Sequence, residues 1–195
     1  MKSCLSLIFV FLFSLPVFAQ NPDINLLKNI HSNRNTHLDP LFENFSHYTY
    51  PVSAAVPVGL LAAGLIKKDI TLQRQGLSSG IALITSLGIS YGLKKIVDRP
   101  RPAATYTFIH PPIVETDPSF PSGHTTAAFS AATSLSLSVK KWYVVVPAYL
   151  WAGTVAYSRL HLGVHYPTDV LAGAVIGAGT AWAGHCINRW LQKKR

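Results

Sequence analysis

Three short blocks, far apart in the chain, hold residue types that handle phosphate. The first is Lys94 followed by Arg101-Pro102, the second Pro121-Ser122-Gly123-His124, and the third Ser158-Arg159 followed by His165 and Asp169. Lys94, Arg101 and Arg159 offer three cations to the nonbridging oxygens of a phosphoryl group, and a guanidinium suits that task because its donors are forked and permanently charged. Ser122-Gly123-His124 stands directly before the apolar run that begins at Thr125, which predicts a turn opening a helix. Free backbone N–H groups and the positive helix end bind an anion there, Gly123 lets the backbone come close, and Ser122 adds a hydroxyl donor. Taken alone the block would be an ordinary Ser N-cap with a glycine turn; its partners in the other two blocks argue for phosphate.

Two histidines and a carboxylate supply the rest of the chemistry. Pro167 fits a first helical turn, so Asp169 falls within reach of the His165 imidazole. Such a pairing fixes the tautomer, stabilises the imidazolium that develops and leaves the other ring nitrogen free to attack phosphorus. His165 is therefore the expected nucleophile and Asp169 its orienting group. His124 is the expected general acid, protonating the leaving oxygen and then activating water against the phosphohistidine. The plainer reading of the pair is a capping histidine with a first-turn aspartate favoured by the helix dipole. Asp98, Glu115, Asp117 and Asp169 form no close ligand cluster of the kind Mg²⁺ needs, so neither metal nor cofactor is expected. His161 reads as a loop histidine, and Lys95 and Arg99 as interfacial cations.

The spacing of these blocks resembles the pattern of the type-2 phosphatidic-acid phosphatase superfamily, which also includes bacterial acid phosphatases and vanadium haloperoxidases. Its fixed positions and internal gaps are matched from Lys94 to Pro102, from Pro121 to His124 and from Ser158 to Asp169. The resemblance implies the same roles for His124 and His165.

The elements that must carry these residues read as membrane helices. The chain has 195 residues, enough for one domain, and only 13% of them are charged, about half of the ~25% usual in soluble domains. The mean hydropathy of +0.27 agrees. Five segments lack Lys, Arg and Glu: Pro51 to Ile66, Gly76 to Leu93, Thr125 to Val139, Trp142 to Ser158, and Thr168 to Gly184. An all-α transmembrane bundle of about five spanning helices is expected. Before it, residues 1–19 look like a secretory signal, with Lys2, the apolar Leu5 to Leu15 and Val17-Phe18-Ala19 ahead of Gln20. An uncleaved first anchor is the alternative, and both place Gln20 outside. Residues 20–50 are expected to form short amphipathic outer-face helices, framing a lipid entrance or packing on the bundle, and residues 51–195 the phosphatase domain.

Lys67-Lys68, Lys140-Lys141 and the basic tail fall at alternate segment ends, where the positive-inside rule wants cytoplasm. All three blocks then meet on the outer face. The net charge of +9 gathers at these segment ends and not along a polar helix face, so no nucleic-acid partner is expected. Cys4 and Cys186 are the two cysteines, and Cys4 falls inside the signal, so an internal disulfide in the mature chain is excluded.

The sequence thus points to a metal-independent lipid phosphatase of a bacterial inner membrane, multi-pass, facing the periplasm, with membrane lipids around it and a phosphorylated lipid as substrate. Undecaprenyl diphosphate, phosphatidylglycerophosphate, phosphatidic acid and lipid A phosphates all present the same head group to the three cations. A soluble secreted acid phosphatase would need helices with charged outer faces, which the five segments lack. A vanadate-dependent haloperoxidase would use the same cradle with vanadate on His165. A noncatalytic lipid-phosphate-binding membrane protein would need no nucleophile–acid pair.

Overall fold

The computed structural model describes residues 20–193, which are helical and looped with no strand. The signal expected over residues 1–19 lies outside the described residues. The helices are α1 (Gln20–Ser32), α2 (Asp39–His47), α3 (Thr49–Ile66), α4 (Ile70–Val97), the short α5 (Pro102–Thr105), α6 (Gly123–Val139), α7 (Trp142–His161) and α8 (Pro167–Lys193). Each of the five segments without Lys, Arg or Glu falls within one of the long helices. Among the described residues, three stretches are long and apolar enough to cross a membrane: Thr36–Ile66, Ile70–Thr105 and Pro167–Lys193. The exposed faces of α4 and α8 carry Leu77, Ile81, Ile84, Leu171 and Val175, a belt that suits lipid and would be costly in water.

α6 has a different composition because it has a different place. Its 17 residues include Ser130, Thr133, Ser134, Ser136 and Ser138 among alanines, and it packs against α3, α4, α7 and α8 at once. Ala127, Ala128, Ala131 and Ala132 are buried there. Small side chains let four neighbours approach a central helix, which in lipid is the main source of helix–helix packing energy. The closest approach is to α8. A Cβ on Gly173 would sit 2.6 Å from the Ser122 carbonyl oxygen, and one on Gly177 2.2 Å from that of Thr126.

Local signals set the helix ends. Asp69 caps α4, its carboxylate accepting from the N–H of Thr71 at 2.9 Å and of Leu72 at 3.1 Å. Ser122 caps α6. Asp98 and Lys140 close α4 and α6 in the left-handed region, and Gly163 turns the chain after α7 with φ +72°. Consecutive long helices therefore run antiparallel. The C-terminal ends of α4 and α7 meet the N-terminal ends of α6 and α8, while Lys67-Lys68 and Lys140-Lys141 lie at the opposite end.

Residues 20–50 pack onto the bundle. Ile24 and Leu27 of α1 are buried with Ile109 and Tyr166, and Phe42 of α2 is buried with Leu162 and Val164. His31 is buried and sits 3.0 Å through Nδ1 from the His161 carbonyl oxygen. His161 is correspondingly not a loop residue. It ends α7, is buried, and places Nε2 2.8 Å from the Asp39 carboxylate.

Candidate active site

Every sequence-predicted site residue lies at the end of the bundle where α4, α6, α7 and α8 converge. Lys94 is buried in the last turn of α4, and Arg101 is buried just before α5. Arg159 is fully buried near the end of α7. His165 follows the Gly163 turn and is 1% exposed, and Asp169, in the first turn of α8, is 0% exposed. Ser122, Gly123 and His124 open α6.

The two ring nitrogens of His165 face different surroundings. Nδ1 lies 3.5 Å from the Asp169 carboxylate, whereas Nε2 faces the cations, 3.3 Å from Arg101 Nη1. Burial pushes the imidazole down to about 4, the Arg159 and Arg101 charges adding to the shift and Asp169 opposing it. The ring is therefore neutral near pH 7, with a lone pair on one nitrogen.

Asp169 is held by several donors besides His165. Arg99 Nη1 donates to Oδ1 at 2.7 Å, while Oδ2 accepts from the Ser119 hydroxyl at 2.5 Å and from the Tyr166 N–H at 2.9 Å. Arg99 also reaches across to α1, where Nη2 donates to Asp23 at 2.8 Å. Asp23 in turn accepts from the Thr168 N–H at 2.9 Å and from its hydroxyl at 2.5 Å, so a residue of α1 caps the helix that carries Asp169. Arg99 is thus no snorkelling cation. Its side chain is 20% exposed and bridges two buried carboxylates.

Ser122 serves as the α6 N-cap: its Oγ accepts from the Thr125 hydroxyl at 3.0 Å and from the Thr125 N–H at 3.4 Å. Its own N–H donates to the Asp169 carbonyl at 3.0 Å, which ties the second block directly to the third. The His124 ring lies tilted against Tyr50 with centroids 4.7 Å apart, and burial, with the Arg159 charge adding to it, pushes its imidazole down to about 3. Gly123 meets the same tyrosine, since a Cβ there would lie 3.0 Å from the Tyr50 hydroxyl.

The three cations are paired with carboxylates of the loop between α5 and α6. Arg101 Nη1 lies 2.6 Å from Glu115, and Arg159 Nη2 donates to the other oxygen of the same group. Asp117 accepts from Arg101 Nη2 at 2.6 Å and lies 3.0 Å from Lys94 Nζ. Arg159 also donates through Nη1 to the Ser46 hydroxyl of α2.

Sequence reasoning missed Asp23, Ser46, Tyr50, Glu115, Asp117 and Ser119 as members of the site, and Arg99 as its support. Arg99 is the one with a signal, standing two residues before Arg101. The others reach the site through tertiary contacts that no spacing records.

Fold and site together define a helical membrane protein in which three buried cations stand near a buried histidine–aspartate pair. The chain belongs to the PAP2 superfamily, which it matches over residues 75–193. It is 29% identical over 154 residues to the undecaprenyl-diphosphatase BcrC of Bacillus subtilis, covering 77% of this chain and 76% of that one. It is 36% identical over 124 residues to the putative undecaprenyl-diphosphatase YbjG of Escherichia coli, covering 62% and 61%. A shorter match, 43% identical over 68 residues, is to the lipid A 4'-phosphatase of Bacteroides thetaiotaomicron, covering 35% of this chain and 30% of that protein. The chain thus spans less than two thirds of the length of the last two relatives. Solved crystal structures are similar as well. A PAP2-type phosphatidylglycerolphosphate phosphatase from Bacillus subtilis has a TM-score of 0.77 at 25% identity, with 100% of both chains covered. Aquifex aeolicus LpxE has a TM-score of 0.72 at 27% identity, with 87% of this chain and 98% of that one covered.

Proposed function

We propose that the protein is a membrane phosphatase that hydrolyses a lipid phosphomonoester or lipid diphosphate through a phosphohistidine, without a metal, on the outer face of a bacterial inner membrane. The observation that carries this reading is the aim of His165: Nε2 lies 3.3 Å from Arg101, on the cation side, with Asp169 behind Nδ1. Nε2 attacks phosphorus as the bond to the lipid oxygen breaks, and His124, neutral in the free site and recharged by the incoming phosphoryl dianion, gives that oxygen its proton. Neutral His124 then takes a proton from water, which attacks the phosphohistidine and releases inorganic phosphate. Lys94, Arg101 and Arg159 neutralise the charge of both trigonal-bipyramidal states, the part a divalent ion plays elsewhere, with each donor worth about 3 kcal/mol.

The named relatives act on diphosphate and phosphate groups of lipids, which supports a lipid substrate and leaves its tail and sugar open. The opposite placement of Lys67-Lys68 and Lys140-Lys141 supports the outward orientation. Phosphate release from a panel of lipid phosphates in detergent tests the class, and it should persist in excess EDTA. Protein quenched in denaturant at alkaline pH should carry an acid-labile phosphate on His165, read by mass spectrometry, and His165→Ala should lose both the label and turnover. A label on Ser122 or His124 would overturn the assignment.

A further inference from the structure

The loop between α5 and α6 already offers an anion to the place where the substrate's phosphoryl group is to bind. Glu115 bridges Arg101 and Arg159 with its two oxygens, and one of them lies 3.9 Å from His165 Nε2. It therefore sits beside the nucleophile, against two of the three cations. Although burial raises its pKa, Arg159 and Arg101 outweigh that effect and hold the carboxyl below its ordinary range, so it is a true anion. Its fit is incomplete. Arg159 Nε is buried without a hydrogen-bond partner, and a planar carboxylate has two acceptor oxygens where a phosphoryl group has three.

The loop is pinned on both sides of Glu115, whose side chain keeps its own torsions. At one end of the loop His110 is tied to α1, its N–H donating to His31 Nε2 at 3.2 Å and its carbonyl accepting from Arg34 at 3.2 Å. At the other, the Asp117 carbonyl accepts from Arg101 at 2.8 Å, the Pro118 carbonyl accepts from Lys94, and the Ser119 N–H donates to the Arg99 carbonyl at 2.8 Å. Between these pins, Ile113 packs against Phe42, Leu162 and Val164, whereas Pro112, Val114 and Thr116 are exposed. Glu115 can swing out while Asp117 stays in place.

We propose that Glu115 is an internal stand-in for the phosphoryl group, displaced when the substrate head group enters and returning to Arg101 and Arg159 as inorganic phosphate leaves. The proposal rests on the cradle reading above. It makes Glu115 a selectivity residue, because a ligand must carry enough charge and enough oxygens to outbid a carboxylate already seated. A site occupied by its own side chain most of the time binds with an affinity reduced by the fraction left open, so relieving the occlusion should tighten phosphate binding by about tenfold.

The test is inorganic phosphate binding to the full chain in detergent, read both as a shift in thermal midpoint and as competitive inhibition, for wild type, Glu115→Gln and Glu115→Ala. Tighter binding in both variants is expected, with KM for a lipid phosphate falling in parallel. Binding to wild type that is unchanged or weaker in the variants overturns the proposal and makes Glu115 a strut that organises the guanidinium groups. Binding to none of the three overturns the cradle reading along with it, whereas loss of lipid hydrolysis with phosphate binding intact would count against the phosphatase reading alone.

Discussion

At the scale of single residues, the site depends on polar groups joined in a row: His165, Asp169, Arg99, Asp23. Removing the cation in the middle leaves two buried carboxylates uncompensated, so Arg99→Ala should destabilise the protein by about 3 kcal/mol. A supporting partner of this kind also changes rate by about 10–100-fold. Asp23→Asn, which keeps the shape of the α8 cap but not its charge, should lower kcat with KM little changed. Equal rates in wild type and Asp23→Asn would show that α1 has no bearing on His165. The pH profile checks the nucleophile itself. Since the folded His165 imidazole titrates at about 4, it is neutral above that pH and is lost as nucleophile when the pH falls through it. Once corrected for the substrate's own protonation, the acid limb of kcat/KM should lie near pH 4, well below the ~6.5 of a free histidine. The same shift costs stability as pH falls below ~6.5, because the unfolded chain takes up the proton first.

At the scale of elements, the site is assembled by the contact of α6 with α8. Gly173 and Gly177 let the α8 backbone press on the Ser122 and Thr126 carbonyls, and this closeness is what allows the Ser122 N–H to reach the Asp169 carbonyl at 3.0 Å. A methyl group at either glycine meets backbone, which cannot rotate away. Gly177→Ala should therefore cost about 1–3 kcal/mol and lower the thermal midpoint in detergent, with activity falling as the two blocks separate. Gly179 lies on the same helix with nothing within 4 Å of its Cβ position, so Gly179→Ala should be neutral or stabilise by up to about 1 kcal/mol through helix propensity. If both substitutions behave alike, the close approach is not what holds α6 to α8.

At the scale of the whole molecule, the alternation of basic ends makes a claim about sidedness. Thr107 and Thr71 are both exposed, the first near the site and the second near Lys67-Lys68 at the other end of the bundle. In a background lacking Cys4 and Cys186, a cysteine at Thr107 should react with an impermeant thiol reagent added from outside, and one at Thr71 should not. The reverse pattern would place the cradle in the cytoplasm and end the case for an outer-leaflet substrate.

The three blocks and the helical segments beneath them were legible in the sequence, because each rests on neighbours close in the chain. Pro167 and Asp169 fall in the first turn after His165, and uncharged runs with basic ends declare membrane helices whatever packs beside them. Even Ser122 was readable as a cap, since capping is decided within four residues. Only the tertiary structure decided the rest. That Asp23 caps a helix 145 positions later, that Arg99 serves Asp169 and not the interface, and that Glu115 occupies the cradle are contacts between segments distant in sequence. Composition gave those charges no partners. A charge near a membrane surface reads as solvated until the fold buries it, and burial then requires that every carboxylate find its cation.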